Sequence, residues 1–223
     1  GTLEVAATLK HWICENAKTT RAYLKRIAET HPLCQPLQAM DLQELPHAVH
    51  KKGDHLGQFD ARHLLQVALQ GENIGLVSEA GMPAIADPGS SVVRAAHDLG
   101  LRVVPLVGPV SLLLALAASG LNGQNFAFVG YLPSTPAERT QRIRELESLA
   151  LKTGQTQLLI ETPYRNEAML GAIATALRPG TQVCIAADLT LPSETIERRS
   201  ADDWKRRDHA QFAKRPALFV LQA

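Results

Sequence analysis

The residues best placed for chemistry lie in two loops. "GLVSEAGMPAIADPGSSVV" (75–93) sets Gly81, Pro83, Pro88 and Gly89 between two apolar patterns, and "LVGPVS" (106–111) repeats the arrangement with Gly108 and Pro109. Neither loop holds a nucleophile–base pair or a metal-ligand spacing. What they offer is backbone: glycine lets a ligand approach the main chain closely. A loop at the carboxyl end of a parallel strand also lies where open α/β sheets bind ligands. Two such loops on neighbouring strands line one crevice. Spacing alone is equally compatible with two tight strand–helix connections.

Other chemistries lack their signatures. No G-x-G-x-x-G follows a strand and no G-x-x-x-x-G-K-[ST] occurs, which removes most support for Rossmann dinucleotide and P-loop readings. H-E-x-x-H and G-x-S-x-G are also absent. Histidines gather at His31, His47, His50, His55 and His63, spaced irregularly, as a solvated surface would have them and a metal site would not. Cys14, Cys34 and Cys184 are far apart and odd in number, which fits a reducing, cytoplasmic setting. At 45% hydrophobic, 20% charged and net charge +1, the 223 residues have the make-up of a soluble globular protein. Residues 103–121 carry no charge, but Pro105, Gly108 and Pro109 interrupt them, so a buried strand, loop and helix is expected there and not a membrane span.

The elements that must position the loops follow from periodicity. Helix 3–9, strand 11–15 and helix 17–28 precede a polar region (31–55). Helix 58–69, strand 73–78, helix 90–98, strand 101–106 and helix 111–119 come next. Asp87 is the expected cap of helix 90–98, with Pro88 at its first position. Gly71, Gly100 and Gly120 mark helix stops. The near-continuous apolar strands imply a parallel sheet covered on both faces. From about 121 the rhythm changes. Strand "NFAFVGYLP", helix 136–152 started by Thr135, Pro136 and Glu138, strand 156–161, helix 166–177, strand 181–188, a polar stretch (192–215) and a last strand "ALFVLQA" imply a second, α+β domain. The expected fold class is therefore α/β with two domains, 1–120 and 121–223. The opening helix with no strand before it leads to the expectation that a strand and a further loop precede Thr2.

The ordered motifs resemble the tetrapyrrole (corrin/porphyrin) methylase superfamily of S-adenosylmethionine-dependent methyltransferases. They are closest to the RNA-directed branch, which methylates ribose 2′-hydroxyls of small-subunit ribosomal RNA. The motifs are Ser78-Glu79-Ala80-Gly81-Met82-Pro83, Asp87-Pro88-Gly89, Val107-Gly108-Pro109, Gly130-Tyr131-Leu132-Pro133, Glu161-Thr162-Pro163-Tyr164-Arg165 and "CENAKTTRAYL" (14–24). The resemblance implies a two-domain tetrapyrrole-methylase-like fold, usually a homodimer, with S-adenosylmethionine in the cleft between the domains. Its implied contacts are Glu79, Ala80, Gly81, Met82, Ile85, Val110 and Ser111, with Tyr131, Leu132 and Ala217 from the second domain. The residue spacings above lead to the expectation of no metal and no membrane association. Glu15, Glu161 and Arg165 are the resemblance's candidates for acid–base or charge-stabilising roles, and Glu161 and Arg165 equally suit a structural pair.

Some polar motifs depart from that branch. Ala187-Asp188-Leu189-Thr190-Leu191 stands where R-E-L-T-K is usual, Lys214-Arg215-Pro216 where K-G-E is usual, and "HAVHKKGDH" where an H-N-E run is usual. Three functions therefore stay open: an RNA methyltransferase, a methyltransferase of a tetrapyrrole or other small molecule, and a cofactor-binding protein without transfer activity. The stretch 198–215, with seven basic and three acidic residues, suits a polyanion or a solvated loop.

Overall fold

The chain opens with α1 (Thr2–Thr8) and passes through Leu9 into β1 (His11–Cys14) and α2 (Ala17–Ala28). The Asn16 side chain caps α2 by accepting from the N–H groups of Lys18 and Thr19, and Thr20, Leu24 and Ile27 form its buried stripe. There follow β2 (Asp41–Glu44), α3 (His47–Lys52), a 3-10 turn (Arg62–Leu65), α4 (Gln66–Leu69), β3 (Ile74–Val77) and α5 (Ser90–Asp98). The computed structural model describes residues 1–52, 54 and 59–223, so His55 and Gln58 lie outside the described residues.

The three strands form one parallel sheet in the order β2-β1-β3, with Cys14 level with Glu44 and Val77. Successive β1 side chains feed opposite faces. Trp12 packs with Leu24, Ile27 and Met40, while Ile13 packs with Leu64, Leu65, Val92 and Ala95. Trp12 also explains Gly75: a Cβ there would lie 2.5 Å from the indole ring.

Two sequence expectations change in this unit. β2 lies inside the region expected to be irregular; Asp-Leu-Gln-Glu is a short, polar edge strand without an apolar run to betray it. Strand 101–106 does not form. Among the described residues β3 pairs only with β1, and a strand exists only where a neighbour accepts and donates its main-chain bonds. Val103, Val104 and Val107 are left exposed.

A compact second unit, Val110–Ala223, begins at the residue after Pro109. It contains α6 (Ser111–Ser119), β4 (Phe126–Tyr131), α7 (Pro136–Thr153), β5 (Thr156–Ile160), α8 (Asn166–Ala176), β6 (Gln182–Ala187), β7 (Thr195–Ser200), α9 (Ala201–Lys205) and β8 (Ala217–Gln222). The sheet order is β4-β5-β8-β6-β7, with β4 and β5 parallel and the other pairs antiparallel. Side chains of α7, α8 and α9 cover one face, including the fully buried Trp204, whose indole N–H donates to Val183 O at 2.9 Å. The other face is covered by α6 through Leu112, Ala115 and Leu116 against Leu158, Cys184 and Val220. The expected boundary after 120 therefore shifts: the helix assigned to the first domain belongs to the core of the second. Among the described residues, no helix is long and apolar enough to cross a membrane.

Helix ends also differ in detail. Gly71, Gly100 and Gly120 all adopt the left-handed conformation expected of helix stops. Thr135 precedes α7, but its hydroxyl donates to the Glu138 carboxylate and does not cap the backbone. Asp87 does not cap α5; the N-cap position is Gly89, and the capping carboxylate comes from Asp54.

Candidate functional site

A parallel sheet places the carboxyl ends of all its strands on one edge, and on this edge the first unit collects its unusual chemistry. Glu15 follows β1, Glu44 ends β2, and Ser78 and Glu79 follow β3. With Asn16, Leu45 and His47, the three glutamates line a recess of about 370 Å³. The Glu79 N–H donates to Glu15 Oε1 at 2.9 Å, the Ala17 N–H donates to Glu44 Oε1 at 2.6 Å, and the Thr19 hydroxyl donates to Glu79 Oε1. The start of α2 and the loop after β3 are thus stitched together through carboxylates.

The loop 78–89 is held in an unusual path. Gly81 and Gly89 have φ of 78° and 134°, and two alanines, Ala84 and Ala86, are also left-handed at 66° and 64°. Non-glycine residues in that region carry strain and persist only where surrounding contacts impose it. One such contact is internal, from the Ala84 N–H to Pro88 O at 3.2 Å. The rest comes from Asp54, which is 4% exposed. Its Oδ2 accepts from Gly89 N–H at 2.9 Å, Ser91 N–H at 2.8 Å and the Ser91 hydroxyl at 2.6 Å, while Oδ1 accepts from the Ser90 hydroxyl at 2.6 Å. Burial opposes its charge, but these hydrogen bonds together outweigh burial and hold the carboxyl down at about 2.

Asp87 is perturbed the other way. Burial first, and then the neighbouring Glu15 carboxylate, push its carboxyl up to about 6, against a partial offset from the Ser78 hydroxyl. One carboxyl held low, that of Asp54, thus braces the loop, and one held high, that of Asp87, lies within it.

Of the expected contact residues, Glu79, Ala80, Gly81, Met82 and Ile85 share this loop, with Glu79, Ala80, Gly81 and Ile85 exposed. Among the described residues the N–H groups of Ala80, Gly81 and Met82 meet no internal acceptor, which leaves three successive donors free on the sheet's carboxyl edge. A Cβ on Gly81 would meet nothing within 4 Å, so open space lies before it.

The other expected contacts belong to the second unit. Val110 is the N-cap position of α6, Ser111 is its exposed first residue, and exposed Tyr131 ends β4 after left-handed Gly130. Leu132 and Ala217 are buried in the core with side chains of α7 and α8.

Glu161 and Arg165 do pair. The guanidinium donates to Glu161 Oε1 through Nε at 3.1 Å and ends 2.9 Å away through its second nitrogen, and it stacks 5.6 Å from the Tyr164 ring centre. Glu161 is buried, and its Oε2 has no partner. Sequence reasoning missed Asp54, Glu44 and the raised carboxyl of Asp87. Asp87 had a signal in the proline that follows it. The other two sit in a polar stretch where nothing distinguishes them. No group of three or more His, Cys, Asp or Glu residues placed to hold a metal occurs among the described residues.

The family model for tetrapyrrole (corrin/porphyrin) methylases matches residues 4–204. The chain belongs to this family. Among curated relatives, ribosomal RNA small subunit methyltransferase I of Vibrio cholerae is 37% identical over 144 residues, which is 65% of this chain and 49% of the relative. The protein of the same name from Bacillus subtilis is 34% identical over 145 residues, 65% of this chain and 48% of the relative. The chain thus spans about half the length of the curated relatives it matches. The solved structure of the methyltransferase CobJ covers 98% of this chain and 85% of its own, with a TM-score of 0.58 at 18% identity, which shows a shared methylase fold.

Proposed function

We propose that this chain binds S-adenosylmethionine and serves methyl transfer to a ribose 2′-hydroxyl of ribosomal RNA. The observation that carries the reading is the loop 79–82, with three free N–H donors in sequence beside an acidic recess on the carboxyl edge of a parallel sheet. Those donors suit the carboxylate and hydroxyl oxygens of the cofactor's amino-acid and ribose ends, and carboxylates suit its cationic groups. Backbone recognition of this kind needs no distinctive side chain, which fits the ordinary composition of the loop. Val110, Ser111, Tyr131, Leu132 and Ala217 supply the remaining contacts in this reading. The ribosomal RNA methyltransferases among the relatives support RNA over a small acceptor.

When bound, S-adenosylmethionine supplies a methyl group on a good leaving group, so the protein's task is chiefly alignment. A ribose hydroxyl must also lose its proton. Asp87, with its carboxyl near 6, is the group best matched to take a proton at neutral pH, and Glu15 keeps it there. Asp54 holds the loop that carries Asp87.

The deciding experiment is transfer of labelled methyl from the cofactor to total ribosomal RNA in parallel with a low-mass cell extract. Label in RNA is the expected result; label only in the low-mass fraction would establish the small-molecule alternative. Calorimetric titration tests the cofactor separately. Gly81→Leu, which fills the open space at a left-handed position, should abolish that heat while leaving both cores folded.

A further inference from the structure

We propose that the outer face of α2 is the surface that holds the acceptor's phosphate backbone and leads it to the recess; this rests on the RNA reading above. The helix carries Lys18, Arg21, Lys25 and Arg26 in 12 residues and no acid between Ala17 and Ala28. All four cations are exposed, and none has a carboxylate partner among the described residues. The clustering of four such cations on one short helix contrasts with the longer basic stretch near the C-terminus. In the stretch 198–215, Arg199 and Arg207 share Glu197, Arg206 holds Asp202 and Asp203, and Arg215 holds Asp188. Most of its charge is therefore already neutralised, whereas the charge on α2 is uncompensated.

Placement supports the assignment. Asn16, the cap of α2, and Glu15 before it both line the recess, so the cationic face starts at the site and runs on for about 18 Å. Lys18, Arg21 and Lys25 follow i, i+3, i+7 spacing and form one ridge. Tyr23, 48% exposed, lies on the other flank of the helix one turn before Arg26, a ring open to a stacked base. A cationic amphipathic helix also suits an anionic membrane, but only if its apolar face is free to enter the bilayer. Here Leu24 and Ile27 are locked into the core with Trp12 and Met40, so a flexible polyanion fits and a lipid surface does not.

The test replaces Lys18, Arg21, Lys25 and Arg26 together by Gln, which preserves helix propensity. Binding to fluorescently labelled small-subunit ribosomal RNA is then followed by anisotropy across a salt series. The expected result is a loss of roughly tenfold or more in affinity at about 0.1 M salt. The log–log salt slope should shrink by about 2–3, since each neutralised single-strand phosphate contributes about 0.7. Tyr23→Ala should cost about fivefold or more with an unchanged salt slope. Cofactor titration and thermal unfolding of the same variants should match the native chain. A quadruple variant that binds RNA with native affinity and slope overturns the surface while leaving the RNA reading intact. A native chain that neither binds nor methylates ribosomal RNA ends both. Binding of native protein to phosphatidylserine vesicles as strongly as to RNA, lost in the quadruple variant, would assign the face to membranes.

Discussion

Asp54 and Asp87 stand at opposite ends of one electrostatic design. Asp54 is stabilised as an anion by four donors, so its folded carboxyl lies below the ordinary 3.8. The stability it contributes is present above about pH 4 and is lost as pH falls towards 2. Asp54→Ala should destabilise the first unit by about 2 kcal/mol at neutral pH, because a cap is lost and the buried Ser91 hydroxyl is stranded. Asp54→Asn should cost clearly less, since its amide oxygen still accepts from Gly89 and Ser91 while its NH₂ donates to Ser90. Urea unfolding of the pair checks this, and equal losses would show that charge, not geometry, does the capping. Asp87 has the reverse sign. Its proton is held more tightly in the folded state, so its ionisation weakens the fold as pH rises from about 4 through 6. Asp87→Asn should raise the unfolding midpoint relative to native above pH 6, with no gain below pH 4, and should lower methyl transfer. A pH series of thermal scans with matched activity assays reads both effects.

At the scale of elements, strand β3 shows how one contact fixes a residue type. Gly75 lies under the Trp12 ring, where any Cβ would sit at 2.5 Å. Gly75→Ala should therefore cost about 2 kcal/mol by overpacking. Trp12→Leu, costly alone, should relieve part of that penalty in the double variant, and additivity in denaturant unfolding would refute the contact. Elements with their own signals were legible: the boundaries of α2, α5 and α6 follow from apolar spacing and glycine stops. Those that depend on a neighbour were not. β2 forms because Asp41–Glu44 can pair beside β1, although its sequence reads as loop, and 101–106 stays unpaired although its sequence reads as strand. The α5 cap shows the same dependence: the nearest acid, Asp87, was the natural local choice, but the chain brings Asp54 from 35 residues upstream of Gly89.

At the scale of the whole molecule, we propose a homodimer, as the family resemblance implies. Its support is apolar surface left uncovered on this chain: Val103, Val104 and Val107 in the first unit, and Leu113 and Leu114 on the outer side of α6. Light scattering at micromolar concentration should give twice the 24.2 kDa chain mass, and a monomeric mass would refute it. The sequence by itself determined the α/β character, the succession of most helices and strands, and the glycine–proline loops with their family motifs. Each of these is written in local periodicity, backbone freedom or residue order. Tertiary structure alone decided which sheet α6 covers, because an uncharged, mostly apolar helix states no preference between two cores. It alone decided that Arg199, Arg206, Arg207 and Arg215 of the basic stretch 198–215 hold carboxylates while the cations of α2 hold none among the described residues, because ion pairing depends on distance in space. It alone separated Asp54 from Asp87, since burial and hydrogen-bond donors, not residue type, set where each carboxyl holds its proton.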